Sequence, residues 1–163
     1  MRPSDSLVRL VQVKTGNLEI IIPFVREFYE HFGYPYAERQ KRKVLKMLIA
    51  KKSLGRALLI KHKGKPIGYA LLTFSFSLEF NGPIAFIDEL FVNPSGRQKG
   101  VGSEVLKQIE ILSSRIGIKA IRLESEATNK RARTLYARSG YRDYRRHLMT
   151  KRLTSEATPI HYP

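Results

Sequence analysis

Two sets of residues in this chain have the types and spacing to do chemistry. The first is Arg97-Gln98-Lys99-Gly100-Val101-Gly102-Ser103, a pair of glycines with two cations in front of them. An apolar run from Ile84 to Val92 leads into it and reads as a strand rich in β-branched and aromatic residues. Val101, Val105, Leu106, Ile109, Leu112 and Ile116 follow at steps of three and four, the period of an amphipathic helix. The amides that open such a helix have no partner within it, and the helix dipole puts partial positive charge there. Gly100 and Gly102 carry no Cβ, so an anion can come close to those amides, with Arg97 and Lys99 adding full charges. The chemistry implied is the holding of a phosphate. The second set is Asp88 and Glu89, two carboxylates inside the apolar strand itself. Unpaired buried carboxylates are costly, so this pair in a central strand needs a role.

Two common phosphate loops do not fit. A Walker loop needs Gly, four residues and Gly-Lys-Ser/Thr, and a dinucleotide fingerprint needs Gly-x-Gly-x-x-Gly; neither order is present. The order Arg97-x-x-Gly100-x-Gly102, after a strand ending Val92-x-Pro94, resembles the pyrophosphate loop of the GNAT superfamily of N-acetyltransferases, written Arg/Gln-x-x-Gly-x-Gly/Ala. A second stretch, Asn129-x-x-Ala132-x-x-Leu135-Tyr136-x-x-x-Gly140-Tyr141, resembles that superfamily's C-terminal pattern. Asn129 and Tyr136 are seven residues apart, about two turns along one face of a helix.

The resemblance implies an acetyl-CoA site. In such a fold the pantetheine arm lies along Leu90-Phe91-Val92 and pairs with that backbone like an added strand. The pyrophosphate would rest on the amides from Gln98 through Lys99, Gly100, Val101 and Gly102 to Ser103, and Asn129 would contact the arm. Tyr136 would sit by the thioester sulfur; a phenol has an ordinary pKa of about 10, so it stays protonated and can give its proton to the leaving thiolate. The acceptor amine must lose a proton in turn. Successive strand side chains alternate faces, so one of Asp88 and Glu89 is expected at the cleft and the other on the opposite side. Related acetyltransferases take a base from this strand, which makes Asp88 the first choice and Glu89 the second. The alternative is a water relay, with the carboxylate tied to the basic surface. Tyr34 and Tyr36 could line the acceptor pocket.

The elements that must position these residues follow from pattern. Strands are expected at Leu7 to Val13, Arg56 to Lys61, Ile67 to Phe76, Ile84 to Val92, Lys119 to Glu124 and Tyr141 to Lys151. Lys63-Gly64 and Asn81-Gly82-Pro83 mark turns between antiparallel neighbours. Helices are expected from Ile20 to Phe32 with Pro23 in or near the first turn, from Ala37 to Lys52, from Val101, and from Asn129 to a stop at Ser139-Gly140. The order β-α-α-β-β-β-α-β-α-β implies a mixed α/β (α+β) domain. It matches the GNAT fold, a mixed and mostly antiparallel sheet flanked by helices. Residues 1–153 read as a single domain and 154–163 as a loose tail.

At 163 residues the chain can bury a sizeable core. Without cysteine it has no disulfide, thiolate metal site or thiol nucleophile, which agrees with direct transfer. The four histidines are scattered without ligand spacing, so no metal is expected. No apolar run approaches a membrane span, and the polar N-terminus opens no signal peptide, so a cytoplasmic protein is expected. The net charge of +16 favours anionic partners. A nucleic-acid-associated module anchored by Arg39 to Lys43 and Arg142 to Arg146 is therefore the rival, and a silent CoA-binding protein a third reading. The same charge tilts the acceptor toward an acidic or neutral amine such as a peptide N-terminus. A homodimer is compatible with the resemblance.

Overall fold

A computed structural model describes residues 7–97, 100–151 and 153. The chain runs β1 (Val8–Gln12), α1 (Leu18–Phe32), α2 (Glu38–Ala50), β2 (Gly55–His62), β3 (Lys65–Ser77), β4 (Gly82–Val92), α3 (Val101–Arg115), β5 (Ala120–Leu123) and α4 (Lys130–Arg138). The five strands form one sheet in sequence order. The first four are antiparallel and β5 runs parallel to β4. A parallel neighbour needs a crossover, and α3 supplies it.

Both faces of β2 and β3 are covered, which is why these strands read as continuous apolar runs rather than alternating ones. Leu58, Ile60, Ala70 and Leu72 pack on one face with Val101, Val105, Leu106 and Ile109 of α3, and α4 adds Leu135 and Tyr136 at the rim. Ala57, Leu59, Tyr69 and Leu71 pack on the other with Ile21, Ile22 and Val25 of α1 and Leu45 of α2. The β2–β3 connection is the two-residue turn Lys63-Gly64, both at positive φ (49° and 80°), the type that matches strand twist. Helix α1 begins at Leu18, so Pro23 falls in its second turn, and the left-handed Gly33 (φ 67°) ends it.

Two departures from expectation bear on the site. The sixth strand, Tyr141 to Lys151, is not formed: among the described residues this segment joins no sheet. Asp143 explains it, because its carboxylate accepts from the Arg145 amide at 2.7 Å and Arg145 takes φ 51°, which turns the chain out of an extended path. Only Tyr141 reaches the core; Arg146 is held to Glu79 at 2.9 Å. The second departure is a bulge in β4. Leu71 pairs with Glu89 but Leu72 pairs with Ile87, so Asp88 is the extra residue.

Candidate active site

The bulge sets the site. Ile87 packs on the α3 face, and in a regular strand Glu89 would follow it there. The extra residue reverses that parity. Glu89 instead turns toward α1, accepting from Tyr29 at 2.8 Å and Tyr69 at 2.7 Å. Asp88 occupies the bulge itself, so simple alternation no longer fixes how it faces relative to Glu89. Asp88 is the more exposed of the two residues and has no hydrogen bond among the described residues, and its charge acts on Glu89.

Beyond this point the sheet splits. β5 accompanies β4 only from Ile84 to Ile87, so among the described residues Asp88 to Val92 have β3 on one side and no strand on the other. Main-chain groups facing that gap form an open strand edge, able to pair with an extended ligand. Leu90 and Val92 pack at the α3 face and Phe91 at the α1 face.

The glycine turn lies just past the end of β4. Gly100 begins α3 in the left-handed region (φ 89°), has no side chain to cap the helix, and would have nothing within 4 Å of an added Cβ. The helical ladder starts with the Glu104 amide bonding the Gly100 carbonyl, which leaves the amides of Val101, Gly102 and Ser103 without helical partners. Glu104, an acid in this first turn, is drawn aside by Gln108 at 2.8 Å. Gly102 has a packing reason as well: an added Cβ would meet Leu135 Cδ2 at 2.7 Å, so the missing side chain lets α4 approach α3. Gly102→Ala should destabilise the fold by about 1 kcal/mol through overpacking against a side chain that can yield; thermal unfolding would measure it.

Arg97 folds back, its Nε donating to the Val92 carbonyl at 2.8 Å while its guanidinium lies 5.8 Å from the Phe91 ring centroid. Gln98 and Lys99 lie outside the described residues. Asn129 is the N-cap of α4, accepting the Ala132 amide at 3.1 Å, and its side-chain NH₂ remains a donor. Two turns on, Tyr136 stands partly buried, its ring edge-on to Tyr141 at 5.9 Å, with no hydrogen bond from its hydroxyl among the described residues. Burial raises the Tyr136 phenol above its ordinary pKa and, with the Glu110 charge, pushes Tyr141 to about 12. Both are neutral phenols at physiological pH.

The α1–α2 loop closes the other side. Tyr34 stacks on Phe32 with centroids 5.6 Å apart and donates to Glu126 at 3.0 Å, reaching from α1 across to the segment after β5. Burial raises the Asp88 carboxyl, and also that of Glu89, where the two phenols pull the other way. Glu124 is raised by burial and by the charges of Asp88 and Glu126. The protein is strongly basic, yet carboxylates from two elements gather here. Two surface hollows lie elsewhere, one of about 280 Å³ beside Arg56 and Phe74 and one of about 440 Å³ over the basic side of α2. Neither borders Asp88, Glu89 or Tyr136.

Tyr29, Tyr69, Lys41 and Glu126 were not anticipated as site residues. A signal existed for the first two: a tyrosine on a core-facing position needs an acceptor for its hydroxyl, and a carboxylate inside a strand needs donors. Lys41 falls within the basic run Arg39 to Lys43 that the sequence offered to nucleic acid. Arg42 on the same helix is in fact occupied, with Glu19 at 2.6 Å and with Glu38 at 2.9 Å.

The open edge of β4, the uncapped start of α3 and the partly buried phenol of Tyr136 are the features that a comparison with known proteins must account for. The Acetyltransferase (GNAT) family matches residues 21–141, and the chain belongs to that family and is an acyltransferase. It is 27% identical over 132 residues to the uncharacterized N-acetyltransferase YhfO of Bacillus subtilis (strain 168), covering 81% of this chain and 88% of that one. Among solved structures, it is similar to an integron cassette protein from a salt-marsh metagenome, with a TM-score of 0.79, 28% identity and coverage of 89% of this chain and 90% of that one. It shares its fold, at TM-score 0.75 and 15% identity over 94% of this chain and 100% of the other, with an aminoglycoside N-acetyltransferase in complex with CoA. No helix among the described residues is long and apolar enough to cross a membrane.

Proposed function

We propose that this enzyme takes its acetyl group from acetyl-CoA and passes it directly to a primary amine, both bound together. One observation carries the reading: the edge of β4 from Asp88 to Val92, unpaired among the described residues, comes a few residues before the uncapped start of α3 in the chain. An extended amide-bearing arm suits the first and a diphosphate the second. The described amides of Gly100 to Ser103 would hold the diphosphate, and Gln98 and Lys99 complete that loop in the sequence. Leu90, Phe91 and Val92 would pair with the arm, and the free NH₂ of Asn129 would donate to it.

The residues then divide the proton work. Asp88, without a hydrogen bond among the described residues, accepts the proton of the acceptor amine directly or through water, with Glu89 beside it as the second choice. The amine nitrogen bonds the acetyl carbonyl carbon, the carbon–sulfur bond breaks, and Tyr136 gives its phenolic proton to the departing thiolate. The gathering of Asp88, Glu89, Glu124 and Glu126 weighs against the acidic acceptor that net charge alone suggests, and for one that arrives as an ammonium.

Titration calorimetry with acetyl-CoA, paired with thiol release in the presence of an amine panel, tests the proposal. Binding with release supports it; no binding at high micromolar cofactor removes it. The pH profile is a second check. A base works only above its folded-state pKa, and burial has raised Asp88 and Glu89, so kcat/KM should climb with pH along a limb above the ordinary carboxylate range of about 4. Asp88→Asn should lower kcat/KM about tenfold to thirtyfold and flatten that limb, since water and Glu89 remain. A profile unchanged in this variant would pass the role to Glu89.

A further inference from the structure

Lys41 behaves unlike its neighbours on α2. Arg39, Lys43 and Lys46 are exposed, as cations on a helix surface usually are. Lys41 instead turns inward: its Nζ lies 3.8 Å from the centroid of the Tyr29 ring and donates to the Tyr29 hydroxyl at 2.6 Å. Tyr29 in turn donates to Glu89 at 2.8 Å. Amine, phenol and carboxylate form a hydrogen-bonded chain whose donors all point from nitrogen to carboxylate. That is the path a proton takes when an amine becomes a nucleophile. The chain ends at Glu89, immediately before Leu90, where the open edge of β4 would receive the acyl-bearing arm.

We propose that Lys41 is itself an acceptor, so that the enzyme acetylates its own Lys41 Nζ; this rests on the acetyl-CoA reading above. Tyr29 is the natural first recipient of its proton, and Glu89 the final one. As the free amine, Lys41 forms a bond from Nζ to the acetyl carbonyl carbon while the carbon–sulfur bond breaks. The excess proton on nitrogen passes to the Tyr29 oxygen as Tyr29 passes its own to Glu89. Tyr136 protonates the thiolate; Tyr29 is restored by the lysine proton, and solvent takes the proton from Glu89 and returns one to Tyr136. The products are Nζ-acetyl-lysine and the free thiol, with no other reactant needed.

Two further properties of Lys41 favour it. Burial lowers its pKa, only partly offset by the charges of Glu89 and Asp88, so a larger share is free amine than on a surface lysine. Its four-carbon stem lets Nζ leave the Tyr29 ring and move along the cleft without shifting α2. The acetylated side chain is neutral, and Asp88 and Glu89 then lose the ammonium that faces them. Modification would thereby change the charge of the acceptor end of the cleft.

The test is incubation of the full chain with trideuteroacetyl-CoA, followed by peptide mass spectrometry across α2. Lys43 and Lys46 on the same helix report the background of direct chemical acetylation. Lys41 is expected to take the label at least about tenfold faster than either, with a first-order rate independent of protein concentration. The rate at Lys41, and not at its neighbours, should fall at least about tenfold in Tyr136→Phe and in Tyr29→Phe. Because Tyr29→Phe also removes a donor to Glu89, Lys41→Arg serves as a second variant: it should remove the fast phase of labelling from the intact mass. Labelling of Lys41 no faster than of Lys43, or a rate indifferent to Tyr136, overturns the proposal. Calorimetry on the same sample separates the two claims. Acetyl-CoA binding without fast Lys41 labelling removes self-acetylation alone, whereas absence of binding removes the donor assignment as well.

Discussion

Replacing Tyr136 by phenylalanine is expected to lower kcat about a thousandfold while acetyl-CoA affinity changes by less than about twofold. The hydroxyl of Tyr136 has no hydrogen bond among the described residues, so its loss leaves no protein partner stranded. The ring keeps its contact with Tyr141 and its place at the rim of the core, which predicts little change in stability. Burial has raised the phenol, so it enters each cycle protonated and has no anionic form to compete near neutral pH. What the variant removes is the proton for the leaving thiolate. Steady-state turnover against calorimetric affinity separates that loss from a binding defect. A rate within about threefold of the parent would end the acid role and leave the thiolate to depart unassisted.

Gly100→Glu should weaken acetyl-CoA binding by roughly a hundredfold, equal to ~2.7 kcal/mol. Three effects act together here. A carboxylate would stand at the start of α3, where the amides of Val101, Gly102 and Ser103 await an anion, and would repel it. A side chain would also fill space now empty within 4 Å of the glycine, and any residue but glycine is strained at φ 89°. Gly100→Ala isolates the backbone term. It should cost stability of about 1 kcal/mol, with a much smaller loss of affinity than glutamate causes. Equal affinities for the two variants would place the diphosphate elsewhere.

The local pattern of the chain made much of this legible. Valine, isoleucine and aromatic runs marked β1 to β5, and the helical period located α1 to α4, because those periods follow from backbone geometry alone. The glycine turn was legible for the same reason: Gly100 must leave the ordinary backbone region just where α3 begins. Three features were not. The fate of Tyr141 to Lys151 turned on Asp143 capturing the Arg145 amide, a contact of two residues that outweighed a weak strand signal. The packing need for Gly102 was not legible either, because only the approach of α4 brings Leu135 against it. The facing of Asp88 and Glu89 could not be read from the sequence, because alternation assumes a regular strand, and β4 is not regular there.

The sequence by itself determined the elements, their order, the family and the residue types of the site, since each is written in spacing over a few turns or strands. Only the tertiary structure decided which side chains meet. One unmatched residue between β3 and β4 reversed the parity of Glu89 and turned it to Tyr29 and Tyr69. A helix packed on that face then brought Lys41 to the same phenol. Register between strands and the approach of helices depend on contacts far apart in the chain, and no local period records them.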